Sequence, residues 1–221
     1  MKYLAIMDNI KKIDYMRVIL FFCLICISAY SSATTFGAID LDEEGYFNTK
    51  TLIVKDGVIH EDEFMDEYKT LVYVMLEEET ISSSVDAIEL QLFLVNSIIK
   101  MNEFDHVFDN DRMETYLMDE GFSEEVSNLC DRVGLYNVSK DIGVFLVIVP
   151  RIEFSSLNGT HIARLEVFNA ATGEYVLKLQ NRASTAWDDM DDSLFYPLFN
   201  AFLQWIRGEN IETSVRTRHI F

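Results

Sequence analysis

"ARLEVFNAATGEYVLKL", residues 163–179, decides the fold. Ala163, Leu165 and Val167 alternate with Arg164 and Glu166, the period of two that marks a strand with one buried and one wet face. Gly173 in "AATGE" suits the positive φ of a three- to five-residue hairpin turn, after which Tyr175, Leu177 and Leu179 point inward from a second strand. Just upstream, "VFLVIVPRIEF" (144–154) reads as a third strand turned back by "SSLNGT". Pro150 inside it has no N–H to give a ladder, which predicts a bulge or a sheet edge at that point.

Working outward, "TLVYVML" (70–76) is a continuous apolar run of strand length, the pattern of a strand covered on both faces. "SSSVDAIELQLFLVNSIIKMN" follows as an amphipathic helix, with Ser84 as N-cap and Val85, Ile88, Leu92, Val95 and Ile99 as its apolar stripe. "FDHVFD" (104–109) is a short strand. Two helices come next, "DRMETYLMDEG" ending at Gly121 and "SEEVSNLCDRVGLYNVSKDIG" starting from Ser123. The last helix, in "DDSLFYPLFNAFLQWIRGEN", lines up Leu194, Leu198, Phe202 and Ile206, with Asp192 or Ser193 as cap, Pro197 in its first turn and Gly208 at its stop. Nearer the start, "TLIVKDGVIH" (51–60) reads as a short hairpin about Lys55-Asp56-Gly57. This order predicts an α+β domain of two layers, a mixed, mainly antiparallel sheet covered by helices on one face.

The 221 residues are 49% hydrophobic with 2 Pro and no Pro- or Ser-rich linker, so one core is expected. Arg17 leads an apolar run from Val18 to Ala29, and Ser31-Ser32-Ala33 places small residues before a cleavage point, the pattern of an export signal. That run falls short of the roughly 20 residues a membrane-spanning helix needs, which puts cleavage after Ala33 ahead of the alternative, an uncleaved anchor. The chain is therefore divided into a signal peptide at 1–33 (with Met16 as an alternative start), an acidic extension with the short hairpin at 34–67, the α+β domain at 68–208 and a tail at 209–221. Cleavage leaves no stable membrane anchor and a periplasmic product.

The chain carries 37 acidic against 18 basic side chains, net −19. Loss of Lys2, Lys11, Lys12 and Arg17 with Asp8 and Asp14 moves the net to −21. Such a field repels phosphate backbones and anionic lipid, which excludes nucleic acid and peripheral membrane binding as expected partners. Cys23 and Cys26 leave with the signal, so the remaining Cys130 has no partner for an intramolecular disulfide.

Catalytic patterns are missing: there is no Ser-His-Asp order, nucleophile elbow, phosphate loop or HExxH. His106, Asp109 and Asp111 could ligate a divalent cation, and Asp109, Asp111 and Glu120 match three positions of a calcium loop. Met113 and Glu114 stand where that loop needs an Asp or Asn and a Gly, so a solvated turn is the expectation and no cofactor is implied. "WDDMDD" (187–192) reads as a polar approach to the last helix.

"NEFDHVFDNDRMETYLMDEGFSE", "VSKDIGVFLVIVPRIEF" and "ARLEVFNAATGEYVLKL" together resemble the domain shared by the curli-secretion lipoproteins, the penicillin-binding-protein activator lipoproteins and the amino-terminal domain of the Tol-system periplasmic β-propeller protein. The resemblance covers residues from about 68 to 208. The chain departs from the lipoprotein branches in lacking a lipidated Cys, since Phe22 and Ile25 precede Cys23 and Cys26, and its short turns leave no room for membrane-spanning hairpins. The resemblance implies a non-enzymatic module that docks onto a cell-envelope assembly or secretion machine, its partner an envelope protein of unspecified identity. Its docking site is expected at the sheet edge near Pro150, Glu153 and Leu157. A small-ligand or calcium-binding module is the alternative. Oligomeric state is left open.

Overall fold

The computed structural model describes residues 36–77, 86–155, 159–184 and 190–214, with the backbone alone for Cys130; these residues belong to one compact unit beginning at Phe36. The expected signal at 1–33, Ser84 and Leu157 lie outside the described residues.

Six strands form one mixed sheet: β1 (Val58–Glu61), β2 (Leu71–Val74), β3 (His106–Phe108), β4 (Leu146–Ser155), β5 (Thr160–Asn169) and β6 (Tyr175–Ala183), in the spatial order β1-β6-β5-β4-β2-β3. β2 runs parallel to both β3 and β4, and the other pairings are antiparallel. Among the described residues four α-helices accompany it: α1 (Ala87–Met101), α2 (Asn110–Asp119), α3 (Arg132–Ile142) and α4 (Tyr196–Ile206). The α+β class and the mixed, mainly antiparallel sheet hold.

Helices cover the sheet more fully than one layer. α1 and α4 pack on the face carrying Val72, Val74, Ile148, Leu165 and Leu179, while α2 and α3 pack on the other through Met113, Leu117, Leu135 and Val138 against Tyr73, Val147, Val149 and Phe168. The cause is topological. The crossover from β2 to β3 steps one way along the sheet, and the crossover from β3 back over β2 to β4 steps the other way. Both must be right-handed, so their helices fall on opposite faces.

Local chemistry sets the helix ends. Asp86 caps α1, its Oδ1 accepting from the N–H groups of Ile88 (2.8 Å) and Glu89 (3.0 Å). Asp109 caps α2 by accepting from Arg112 N (2.9 Å), and Asp131 caps α3 by accepting from Gly134 N (2.8 Å). The helix read from Ser123 is therefore two pieces, a 3-10 segment at Ser123–Cys130 and then α3. In place of an Asp192 or Ser193 cap, a π-helical turn at Asp191–Phe195 leads into α4, with Pro197 in the first turn.

Two further readings change. The Lys55–Gly57 turn is present, but β1 beyond it pairs with β6 across the sheet, and Val54 instead bridges Ser214. Residues 51–60 are thus no hairpin. Tyr175 does not point inward with Leu177 and Leu179: the register shifts between Val167 and Phe168, and Tyr175 packs edge-on against Phe168 on the opposite face.

The acidic segment before β2 is packed. Phe47 and Ile53 are buried in the first of two cores, the one between the sheet and α1 and α4, and the Asn200 side chain on α4 donates to Phe47 O (3.0 Å) and accepts from Phe47 N (2.8 Å). Trp205 Nε1 donates to Asp62 O at 2.6 Å.

Candidate docking site

β4 and β5 pair over ten residues each, Leu146↔Asn169 through Ser155↔Thr160, whereas β2 matches β4 only as far as Val74↔Ile148. Met75 N still donates to Ile148 O (3.0 Å). The next rung would run from residue 150 to the Met75 carbonyl, and Pro150 has no N–H to make it, so the parallel ladder ends there. By the alternation of the ladder, Ile152 and Phe154 direct their N–H and C=O groups to the same side as Pro150, where no described strand pairs with them. Phe154 is 48% exposed and its ring lies 4.8 Å from that of His161. Burial pushes the His161 imidazole below its ordinary pKa.

Beside this margin, on the second face of β4, β5 and β6, side chains of alternating charge line up past the residues that α2 and α3 pack on. Arg151 and Arg164 stand directly opposite each other, a destabilising pairing unless each is neutralised. Each is. Arg151 Nη2 meets Glu77 Oε2 at 2.6 Å and its Nε meets Glu166 Oε2 at 3.2 Å. Arg164 pairs with Glu153 and donates from Nε to Gln180 Oε1 at 2.8 Å. Burial opposes the Arg151 charge, but the hydrogen bond and charge of Glu166, with those of Glu77, outweigh it and raise its pKa. The network continues through the Tyr175 hydroxyl, which lies 3.3 Å from Glu166 Oε2 and bonds Arg132. The Arg132 guanidinium in turn lies over the Phe168 (4.8 Å) and Tyr175 (4.5 Å) rings.

Of the residues expected to form the docking site, Pro150 and Glu153 lie at this margin and Leu157 is outside the described residues. Sequence reasoning missed Phe154, Arg151, Arg164 and Tyr175. The signal of Arg164 was present in the wet face of the opening hairpin, but which charged residues of β4 and β6 it meets depends on strand register.

The expected metal candidates do not converge. Asp109 caps one end of α2 and Glu120 sits past its other end, about 16 Å away at 1.5 Å per residue. Asp111 is exposed in the first turn, and His106 stacks near Phe108 and Tyr116. Among the described residues no group of three His, Cys, Asp or Glu side chains is placed to hold a metal ion. In "WDDMDD", Met190 is buried and Asp191 Oδ2 accepts from Gly37 N at 3.0 Å.

A cleft of about 430 Å³ lies between the acidic segment and α4, lined among others by Asp42, Tyr46, Asn200, Gln204, Arg207 and Glu209. Its polar groups are committed to each other. Arg207 Nε bonds Glu103 Oε1 (2.8 Å), its Nη1 donates to Glu44 O (3.0 Å), the Tyr46 hydroxyl donates to Glu209 Oε2 (2.5 Å) and Gln204 Oε1 accepts from Glu212 N (2.9 Å). It is a seam joining two segments. No helix among the described residues is long and apolar enough to cross a membrane.

By fold the chain is an α+β protein on a mixed six-stranded sheet. No family model and no curated protein matches its sequence. Among solved structures it is similar to the LpoB C-terminal domain from Escherichia coli, at 16% identity and a TM-score of 0.39 over 54% of this chain and 85% of that one. It is also similar to the PelC dodecamer from Paraburkholderia phytofirmans (10% identity, TM-score 0.39, 66% of this chain and 94% of that one). A third is lipoprotein GNA1162 from Neisseria meningitidis (11% identity, TM-score 0.32, 53% of this chain and 81% of that one). Overlaps this partial, at identities this low, leave the role of the chain to its own residues.

Proposed function

We propose that this chain is an exported, non-catalytic docking module of the bacterial cell envelope, and that it binds a protein partner along β4 beyond Pro150. One observation carries the reading: a long strand loses its described neighbour at a proline and continues, with backbone groups at Ile152 and Phe154 that no described strand pairs and an exposed aromatic ring beside them. An edge of this kind accepts an extended segment by backbone pairing, while flanking side chains select the sequence. The flanking groups here are Phe154 on one face and the Arg151–Glu153–Arg164 cluster on the other. The signal-like stretch at 18–33 supports the envelope setting.

The test is crosslinking in intact cells with a carboxy-terminal tag, comparing the native chain with Phe154→Asp. A specific envelope partner is expected with the native chain, and its recovery should fall at least roughly tenfold in the variant with no change in melting temperature. Equal recovery from both chains removes the docking site from β4. If calcium raises the melting temperature and no partner is recovered, the ligand-binding alternative replaces the docking function.

A further inference from the structure

α1 is apolar around most of its circumference, yet only part of it is buried. Leu90, Phe93, Leu94, Val95, Ile98 and Met101 pack into the first core, while Ile88 (67%), Leu92 (45%) and Ile99 (44%) are exposed. At 100° per residue Ile88 and Ile99 fall about 40° and 20° from Leu92 on one side, so the three make a single outward stripe along the helix. Scattered exposed aliphatics need no explanation, but a stripe of three on one helix face marks a contact surface.

We infer that this stripe is the contact between two copies of the chain, α1 packing antiparallel on α1 of a second copy about a two-fold axis. The charges that border the stripe select this occupant. Glu89, in the first turn, and Lys100, in the last, both lie on the other side of Leu92, about 60° and 80° round. A two-fold axis perpendicular to the plane of the helices keeps each border on its own side while reversing direction. Glu89 of each copy then meets Lys100 of the other, and Ile88 meets Ile99 across a centre formed by Leu92 and Asn96. The surface is thus complementary to itself, as an isologous contact requires. Opposed helix dipoles add a small favourable term.

The contact is small and each copy carries a net charge of −19. One helix pair buries less than the roughly 800 Å² per partner of a standard interface, so the dimer is weak. Screening of the net repulsion should tighten it as salt rises from low values.

Sedimentation velocity on the full chain over a range of concentrations and salt tests this. A monomer–dimer equilibrium is expected, with Leu92→Glu weakening dimerisation at least roughly tenfold at unchanged melting temperature. Glu89→Lys and Lys100→Glu should each weaken it through like charges, and the double variant Glu89→Lys/Lys100→Glu should restore it by exchanging the pairs. A monomer at every concentration and salt overturns the inference. So does a dimer indifferent to Leu92→Glu, or a double variant no better than its singles.

Discussion

Gly134 occupies the first turn of α3 because a Cβ there would lie 1.9 Å from the Asn128 carbonyl oxygen. The 3-10 segment before α3 doubles back close enough to exclude any side chain. Gly134→Ala is therefore expected to cost at least about 2 kcal/mol, read as a lower urea midpoint at unchanged slope. His161 makes a different prediction. It is 5% exposed and its folded pKa lies below 6.5, so the unfolded chain binds the proton more readily than the folded one. Its contribution is present above about pH 6.5 and is lost as the pH falls from there through the folded pKa. The urea midpoint of the native chain should accordingly drop relative to His161→Phe below that pH and run parallel to it above; parallel curves throughout would refute the coupling. Individual side chains were the least legible scale. Asp86, rather than a serine two residues earlier, caps α1, and Tyr175 crosses to the other face through a register shift, because both depend on the exact exit of the chain from a neighbouring element.

Elements were legible where periodicity allowed one answer. Leu194, Leu198, Phe202 and Ile206 are buried as their four-residue spacing required, and Ala163, Leu165 and Val167 face the core opposite Arg164 and Glu166. α1 allowed more than one answer, since apolar residues circle most of it. The stripe of Ile88, Leu92 and Ile99 read from spacing is the outward one, and of the residues chosen only Val95 is buried among those described. Packing against the sheet settles the rotation in favour of Leu90, Phe93, Leu94 and Ile98, which spacing alone could not rank. The rotation is measurable: Leu94→Ala is expected to cost about 2–5 kcal/mol and Leu92→Ala less than about 1 kcal/mol, from urea unfolding of each variant. Equal costs would reject the orientation of this helix. Gly57 shows why the hairpin at 51–60 was misread, as its Cβ would lie 2.2 Å from the Gln180 carbonyl oxygen on β6. The partner of β1 lies more than a hundred residues downstream, and short-range turn chemistry carries no trace of it.

Across the whole molecule the order of strands and helices was legible and the order of strands in the sheet was not, because the crossover back from β3 over β2 is a long-range choice. That choice places helices on both faces and confines the charged side-chain network to β4, β5 and β6. It also concentrates cations: Arg132, Arg151, Arg164 and Lys178 gather there in a chain whose net charge is −19, each within reach of a carboxylate or an aromatic ring. Salt acts on these two features in opposite senses. It screens the ion pairs of Arg151, Arg164 and Arg207, which lowers stability, and it screens the repulsion among the excess carboxylates, which raises it. The Arg151 and Arg207 pairs are short and partly buried, about 26% exposed at the Arg207 side chain and 23% at Arg151, so bulk ions reach them poorly, and only the Arg164 pair has a half-exposed partner in Glu153. The repulsion is spread over an exposed surface at separations beyond a Debye length of about 8 Å at physiological ionic strength, where screening is nearly complete. Repulsion should therefore dominate the response. The melting temperature is expected to rise as sodium chloride increases from about 0.01 M to about 0.15 M and then to level off. A fall over the same range would mean that the arginine pairs, rather than the net charge, govern the stability of the fold.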